Sequence, residues 1–302
     1  MNDLVWVAAA GFLASLVDGA LGMGFGPTSS SILLSTGLSP AAASTTVNIA
    51  KVFTGIAAAI SHWRFRNIDH KLVLQLAIPG AIGAVIGVTV LSNVDGETLK
   101  PILAGLLMLI GLRILWRFSK KTAPPDPTEY EDIEHDPASM PRFNDKGVEV
   151  VAGAGGITNG MIGAWGPVIT PFLMHRDLEP RFAVGSVNTA EVFVAFVSAG
   201  SLIAAVGRGG LDIGVILAML AGGIVAAPVA AWVIRHIPAR PMGLAVAGLL
   251  LLTNARELID WQGLNTYQWA IYAGCLGLVA LAAYRPRVRA RRAAGAPAAD
   301  AA

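Results

Sequence analysis

Cysteine and charge are what this 302-residue sequence has least of. Cysteine occurs once, at Cys275, which excludes a disulfide framework and a cysteine-based metal site. Charged residues make up 14% of the chain, against about a quarter in an ordinary soluble domain. His62, His70, His135, His175 and His236 stand far apart, with no metal-ligand spacing. There is also no His/Asp/Glu cluster, no Ser–His–Asp set and no Walker-type phosphate loop. The Gly-x-Gly-x-Gly-Pro run at Gly22–Pro27 opens an apolar half-helix and follows no strand, so it is not a dinucleotide fingerprint. These absences leave no catalytic, metal, cofactor or nucleic-acid chemistry to expect. No basic residue precedes the first apolar run, so a cleaved signal peptide is not expected either.

Apolar residues make up 54% of the chain and fall into long, nearly charge-free stretches. They lie at about 4–17 with 27–37, then 41–61, 72–92 and 100–117; after a polar gap come 148–161 with 167–174, 182–206, 212–234, 242–259 and 267–284. Most are about 20 residues long, which at 1.5 Å per residue matches a hydrocarbon core of roughly 30 Å. So many in series exclude a soluble enzyme. The gap at 119–146 holds Pro124, Pro125, Pro127, Pro137 and Pro141 among acidic residues and reads as a disordered cytoplasmic linker. Residues 285–302, rich in arginine and alanine, read as a basic cytoplasmic tail.

The two halves are copies. Gly26-Pro27 and Gly166-Pro167 are 140 positions apart, and so are Ser39-Pro40 and Glu179-Pro180. The same offset aligns Val47-Asn48-Ile-Ala-Lys51-Val-Phe53 with Val187-Asn188-Thr-Ala-Glu191-Val-Phe193. The repeats span 1–118 and 147–260, with one further transmembrane helix at 261–284.

Each repeat opens on an interrupted segment. Glycines ending in Gly-Pro favour a broken helix over a continuous one. Its two pieces, each about half a span, either cross together or dip in and return. Lysine and arginine gather on the cytoplasmic side of membranes, so their distribution discriminates. If each pair crosses, the two sides receive ten and ten basic residues; if each is re-entrant, seventeen and three. The re-entrant arrangement gives seven full crossings, an outside N-terminus and a cytoplasmic C-terminus. Each repeat then contributes three crossings, an odd number, so the second copy is inverted. The expected fold is an all-α polytopic inverted repeat. Each copy is a re-entrant broken helix plus three transmembrane helices, followed by one extra C-terminal helix. Inverted repeats with broken helices are typical of secondary transporters, whose substrate sits at the repeat interface.

Lys51 and Glu191 are the strongest single signals. Each falls mid-helix, where an ionisable group is costly unless it is paired or faces water. Asn48 and Asn188 lie three residues earlier on the same faces. The bland alternative is an ion pair that only fixes repeat packing. The half-helix starts are the second signal: Gly24, Gly26, Pro27, Thr28 and Ser29 in one break, Gly163, Gly166 and Pro167 in the other. Pro fits the first turn, and exposed N–H groups beside a positive dipole end suit an anion. Asp18 and Asn159 begin the two breaks, as caps or as cation or proton sites. Thr45, Thr46, Ser186 and Thr189 either line a cavity or bond their own helix. Gly80, Gly83, Gly87, Gly222 and Gly223 read as packing residues.

The Gly22-Met-Gly-Phe-Gly26-Pro27 and Gly163-Ala-Trp-Gly166-Pro167 breaks, the Val-Asn-x-x-[Lys/Glu]-Val-Phe helices and the Ser61–Asp69 loop resemble the TauE/SafE sulfite-exporter family over about residues 4–260. That resemblance implies a permease of bacterial inner membranes for small sulfur-containing anions. The expected partners are thus a small inorganic or organic anion and the lipid bilayer, with a homo-oligomer possible. The expected function is secondary transport, most simply export, of sulfite, another sulfur oxyanion or an organosulfonate. Uptake of the same anions and a non-transporting scaffold or accessory subunit are the alternatives.

Overall fold

The computed structural model describes residues 2–21, 24–119, 143–176, 178–207, 212–236 and 239–294. Most of the expected linker, and the chain after residue 294, lie outside the described residues. Eleven α-helices and one short 3-10 turn account for almost all that is described. They are α1 (Asn2–Leu21), α2 (Phe25–Ser35), α3 (Pro40–Arg64), α4 (His70–Asn93), α5 (Gly96–Ser119), α6 (Val148–Ile162), α7 (Gly166–His175), α8 (Pro180–Val206), α9 (Ile213–His236), α10 (Ala239–Gln262) and α11 (Gln268–Ala294). Six of them, α3, α4, α5, α8, α10 and the apolar part of α11, are long and apolar enough to cross a membrane. The chain is a multi-pass membrane protein.

Local chemistry sets the helix starts. Ser39 accepts a hydrogen bond from the Ala42 amide at 3.3 Å and precedes Pro40 at the first turn of α3. Asp69 caps α4, accepting from the amides of Lys71 and Leu72 at 2.9 and 3.1 Å. Two expectations need correction. Helix α1 runs through Asp18 to Leu21, longer than the half-span read from the sequence; a lone polar residue does not end a helix whose hydrogen bonds can continue. Helix α11 continues past Tyr284 to Ala294, into the stretch read as a basic tail. Arginine and alanine are good helix formers, so the helix persists beyond its apolar part.

The packing of the elements is reciprocal between the repeats. Helix α1 packs on α9, α6 on α4, α3 on α8 and α5 on α10. The direction of each pair follows from its contacts. The loop after α3 meets the start of α8, where the Asp69 amide donates to Ser186 Oγ at 2.9 Å, so α3 and α8 run antiparallel. Arg240, near the start of α10, donates to the Phe118 carbonyl near the end of α5 at 3.1 Å, so this pair is antiparallel too. Helices α6 and α7 form a hairpin. The Gly155 Cα faces the Ile169 side chain, and Gly147 before α6 lies near the Phe172 ring at the far end of α7. Both ends of this hairpin therefore sit at one end of the molecule.

Buried apolar side chains form two clusters. One joins α1, α2, α5 and α10 with parts of their neighbours; the other joins α7 with the first halves of α4, α6 and α8. Glycines make the tightest crossings. A Cβ on Gly83 would lie 2.1 Å from the Gly153 carbonyl oxygen, on Gly87 2.3 Å from that of Ile157, and on Gly222 1.9 Å from that of Ala8. These are the positions read as packing residues. A Gly83→Ala or Gly222→Ala variant should lose about 1–3 kcal/mol of stability from overpacking. Gly105→Ala, where an added Cβ meets nothing within 4 Å, should melt like the wild type or slightly higher. Thermal unfolding of the purified protein in detergent measures the difference.

Candidate functional site

Helix α6 ends inside the molecule, and a helix that stops leaves its last carbonyl groups without intrahelical partners. Here side chains of the first repeat supply partners. Asn48 Nδ2 donates to the Asn159 carbonyl at 3.2 Å and Ser44 Oγ to the Gly160 carbonyl at 2.8 Å. Ser30 Oγ donates to the Ile162 carbonyl at 2.7 Å and Lys51 Nζ to the Gly163 carbonyl at 2.6 Å. Gly163 adopts the left-handed conformation (φ 66°) that closes the helix, which glycine enters without steric cost.

The Lys51 ammonium thus lies at the negative end of the α6 dipole. It also pairs with Glu191 on α8 and reaches Asn159 Oδ1 at 3.5 Å. Asn159 is fully buried, and its side-chain amide donates to Asn48 Oδ1 at 2.8 Å and Ser198 Oγ at 3.0 Å. Lys51, Glu191, Asn48 and Asn159 therefore form one network joining α3, α6 and α8. Asp18 lies within electrostatic range of both Lys51 and Glu191.

The first break meets the second at this centre. A Cβ on Gly26 would lie 1.7 Å from the Gly163 carbonyl oxygen and 3.2 Å from Lys51 Nζ, so only glycine allows the approach. Helix α2 starts there, and its Phe25 amide donates to Asp18 Oδ1 at 3.3 Å. Asp18 thus accepts from the first amide of this half-helix, whose N-cap is Gly24. Thr28, Ser29, Ser30 and Ser31 follow in sequence and are all buried. Successive residues point about 100° apart, so their hydroxyls surround α2. Ser30 holds α6, and Ser31 bonds Thr253 and Asn254 of α10. Thr28 Oγ1 and Ser29 Oγ have no hydrogen-bond partner, and neither does Thr170 Oγ1 on α7.

The second half-helix start is closed differently. Gly166 and Pro167 open α7 and are buried. The fully buried Trp165 before them donates from Nε1 to the Val187 carbonyl at 3.1 Å and packs on Gly80. Gly24 packs on Val17 at the first break.

Not every expected residue joins the network. Asn188 is only half-buried, and none of the network's hydrogen bonds reaches it. At the position 140 residues before Asn159 the sequence has Gly19, which offers no side chain to pair with Asn188. Thr45 and Thr189 bond carbonyls of their own helices, and Ser186 holds the loop after α3. Ser44 and Ser198 went unnoticed in the sequence because the repeat gives them no polar counterpart: Val184 and Ala58 stand at the matching positions. Ser30, one of the hydroxyls that the half-helix start offered in the sequence, does have one, in Thr170.

Asn159→Ala should cost about 1–3 kcal/mol, because it leaves buried partners unpaired. Asn188→Ala should stay within about 0.5 kcal/mol of the wild type. Thermal unfolding in detergent distinguishes these two substitutions of one residue type.

The sulfite exporter TauE/SafE family model matches residues 7–256. A Bacillus subtilis (strain 168) protein named "Probable membrane transporter protein YtnM" is 37% identical over 284 residues, 94% of this chain and 92% of the relative. A Sinorhizobium sp protein named "Probable membrane transporter protein ORF9" is 31% identical over 109 residues, 36% of this chain and 41% of the relative. No solved structure matches the chain. With its two glycine-proline breaks joined around Lys51 and a family match over most of its length, this chain belongs to the sulfite exporter TauE/SafE family.

Proposed function

We propose that the protein is a secondary transporter that exports a small anion of the sulfur oxyanion or organosulfonate class, bound where the two breaks meet. One observation carries the reading: a buried lysine at the middle of a membrane helix touches the broken segment of the opposite repeat. An ionisable side chain at that depth costs about 2.5–3.5 kcal/mol on insertion scales, so it is normally kept for substrate, ion or proton movement. The N-terminus of α2 supports an anion, since its dipole and the unpartnered Thr28 and Ser29 hydroxyls are donors in search of acceptors. The description of the family model and the names of the relatives support transport.

Inversion of the second repeat is part of this reading. It is supported by the antiparallel course of α3 against α8 and of α5 against α10, which are equivalent helices of the two repeats. The hairpin of α6 and α7 supports the re-entrant count of basic residues. Substrate passage then needs the two breaks to part, because Gly26 and Gly163 touch in the present conformation.

A second reading, a non-transporting scaffold, has one observation in its favour: Lys51 pairs with Glu191 and bonds the end of α6, which ties the repeats together. Proteoliposome flux with sulfite, thiosulfate, sulfoacetate and sulfate separates the two. The wild type should move at least one of these anions, and Lys51→Ala should lower that flux about ten- to a hundredfold, the value of one charge-assisted contact. Absence of flux with every anion, in folded protein, would sink the transport reading. Full flux in a Lys51→Ala/Glu191→Ala double variant would make the pair structural. For topology, single cysteines at Ser35 or Thr36 should label from outside the cell, and labelling only from the cytoplasm would remove the re-entrant, inverted arrangement.

A further inference from the structure

The start of α2 already holds an acceptor supplied by the protein itself, the Asp18 carboxyl group. Asp18 Oδ1 accepts from the Phe25 amide at 3.3 Å, a position in which a substrate oxygen would be equally well placed. The two hydroxyls on the turn that follows, Thr28 and Ser29, are fully buried and unpartnered. The first turn of α2 thus carries two donors without acceptors beside the amide that Asp18 occupies.

The charges at the centre do not balance. Among the described residues, the ionisable groups in electrostatic range of Asp18 are Lys51 on α3 and Glu191 on α8. Helix α2 carries none, and α9, which packs along α1, has none before Arg235. Two carboxylates therefore face one ammonium. An incoming anion would add a second excess negative charge where charge is poorly screened. The two carboxylates are also held unequally. Glu191 is paired directly with Lys51, whereas Asp18 is held by the backbone amides of Phe25 and Gly24 and by no direct ion pair. Asp18 is the one that can be released.

We infer that Asp18 is a tethered competitor for the transported anion: ionised, it occupies the N-terminus of α2, and on taking up a proton it yields that place to the substrate. The inference rests on the anion-transport reading and adds its coupling. Each bound anion brings about one proton with it. With a doubly charged oxyanion the load keeps one net negative charge, so an inside-negative potential still favours outward movement by about 2.3 kcal/mol per 100 mV.

Binding of thiosulfate and methanesulfonate to the full-length protein in nanodiscs tests this, because neither anion changes charge across pH ~6–8. Wild-type affinity should weaken with rising pH, approaching about tenfold per unit, the slope of one linked proton. Asp18→Asn should bind with the affinity of the acidic wild type at every pH. A variant that keeps the wild-type slope would overturn the inference. If Asp18→Asn does not fold, proton uptake by the wild type in weak buffer decides: about one proton per anion supports the competitor, and none removes it. Tight, pH-independent binding by the wild type would remove Asp18 and leave the transport reading standing. No binding of either anion at any pH would remove the inference, and the flux panel then decides the transport reading by itself.

Discussion

A helix that stops within an apolar medium must find other partners for its last carbonyl groups, since there is no water there to accept the task. In this protein the end of α6 is completed by Ser30, Ser44, Asn48 and Lys51, all from the other repeat. Much else follows from that constraint. It ties the repeats together at their centre and holds Gly163 against Gly26. It also fixes the Lys51 side chain so that Glu191 can neutralise it. Removing Lys51 would thus do two things at once, unpairing a carboxylate and exposing a helix end.

The same constraint makes the two breaks unequal. The second is closed by Trp165 on one side and by first-repeat side chains on the other. At the first, Asp18 accepts from the Phe25 amide, and Thr28 and Ser29 on the following turn have no hydrogen-bond partner. A duplicated fold has therefore kept its symmetry in backbone and packing and lost it in polar side chains. For a transporter this division is useful. In the reading proposed above, the second break anchors the network and the first is where a ligand binds.

Much of the fold was legible because membrane segments are written in runs of apolar residues and because the offset of 140 repeats so many of them. The broken helices were legible as Gly-Pro, which restricts the backbone locally. Lys51, Glu191, Asn48 and Asn159 stood out as polar residues in apolar surroundings, and they do meet. Asn188 stood out for the same reason and does not. The lengths of α1 and α11 were misread, because a change in composition was taken for a helix end, whereas hydrogen bonding continues wherever propensity allows it.

The sequence by itself determined that the chain crosses the membrane many times, that its motifs recur at an offset of 140, and that Gly-Pro interrupts two of its apolar runs. Those properties are local or periodic, and neighbouring residues are enough to express them. Only the tertiary structure decided which polar groups find each other: Lys51 with the end of α6, Asn159 with Asn48, Ser30 with the Ile162 carbonyl. Such pairings join residues far apart in the chain, and their strength depends on distances of a few tenths of an ångström. No spacing along the sequence encodes them, because they arise only when the two repeats pack.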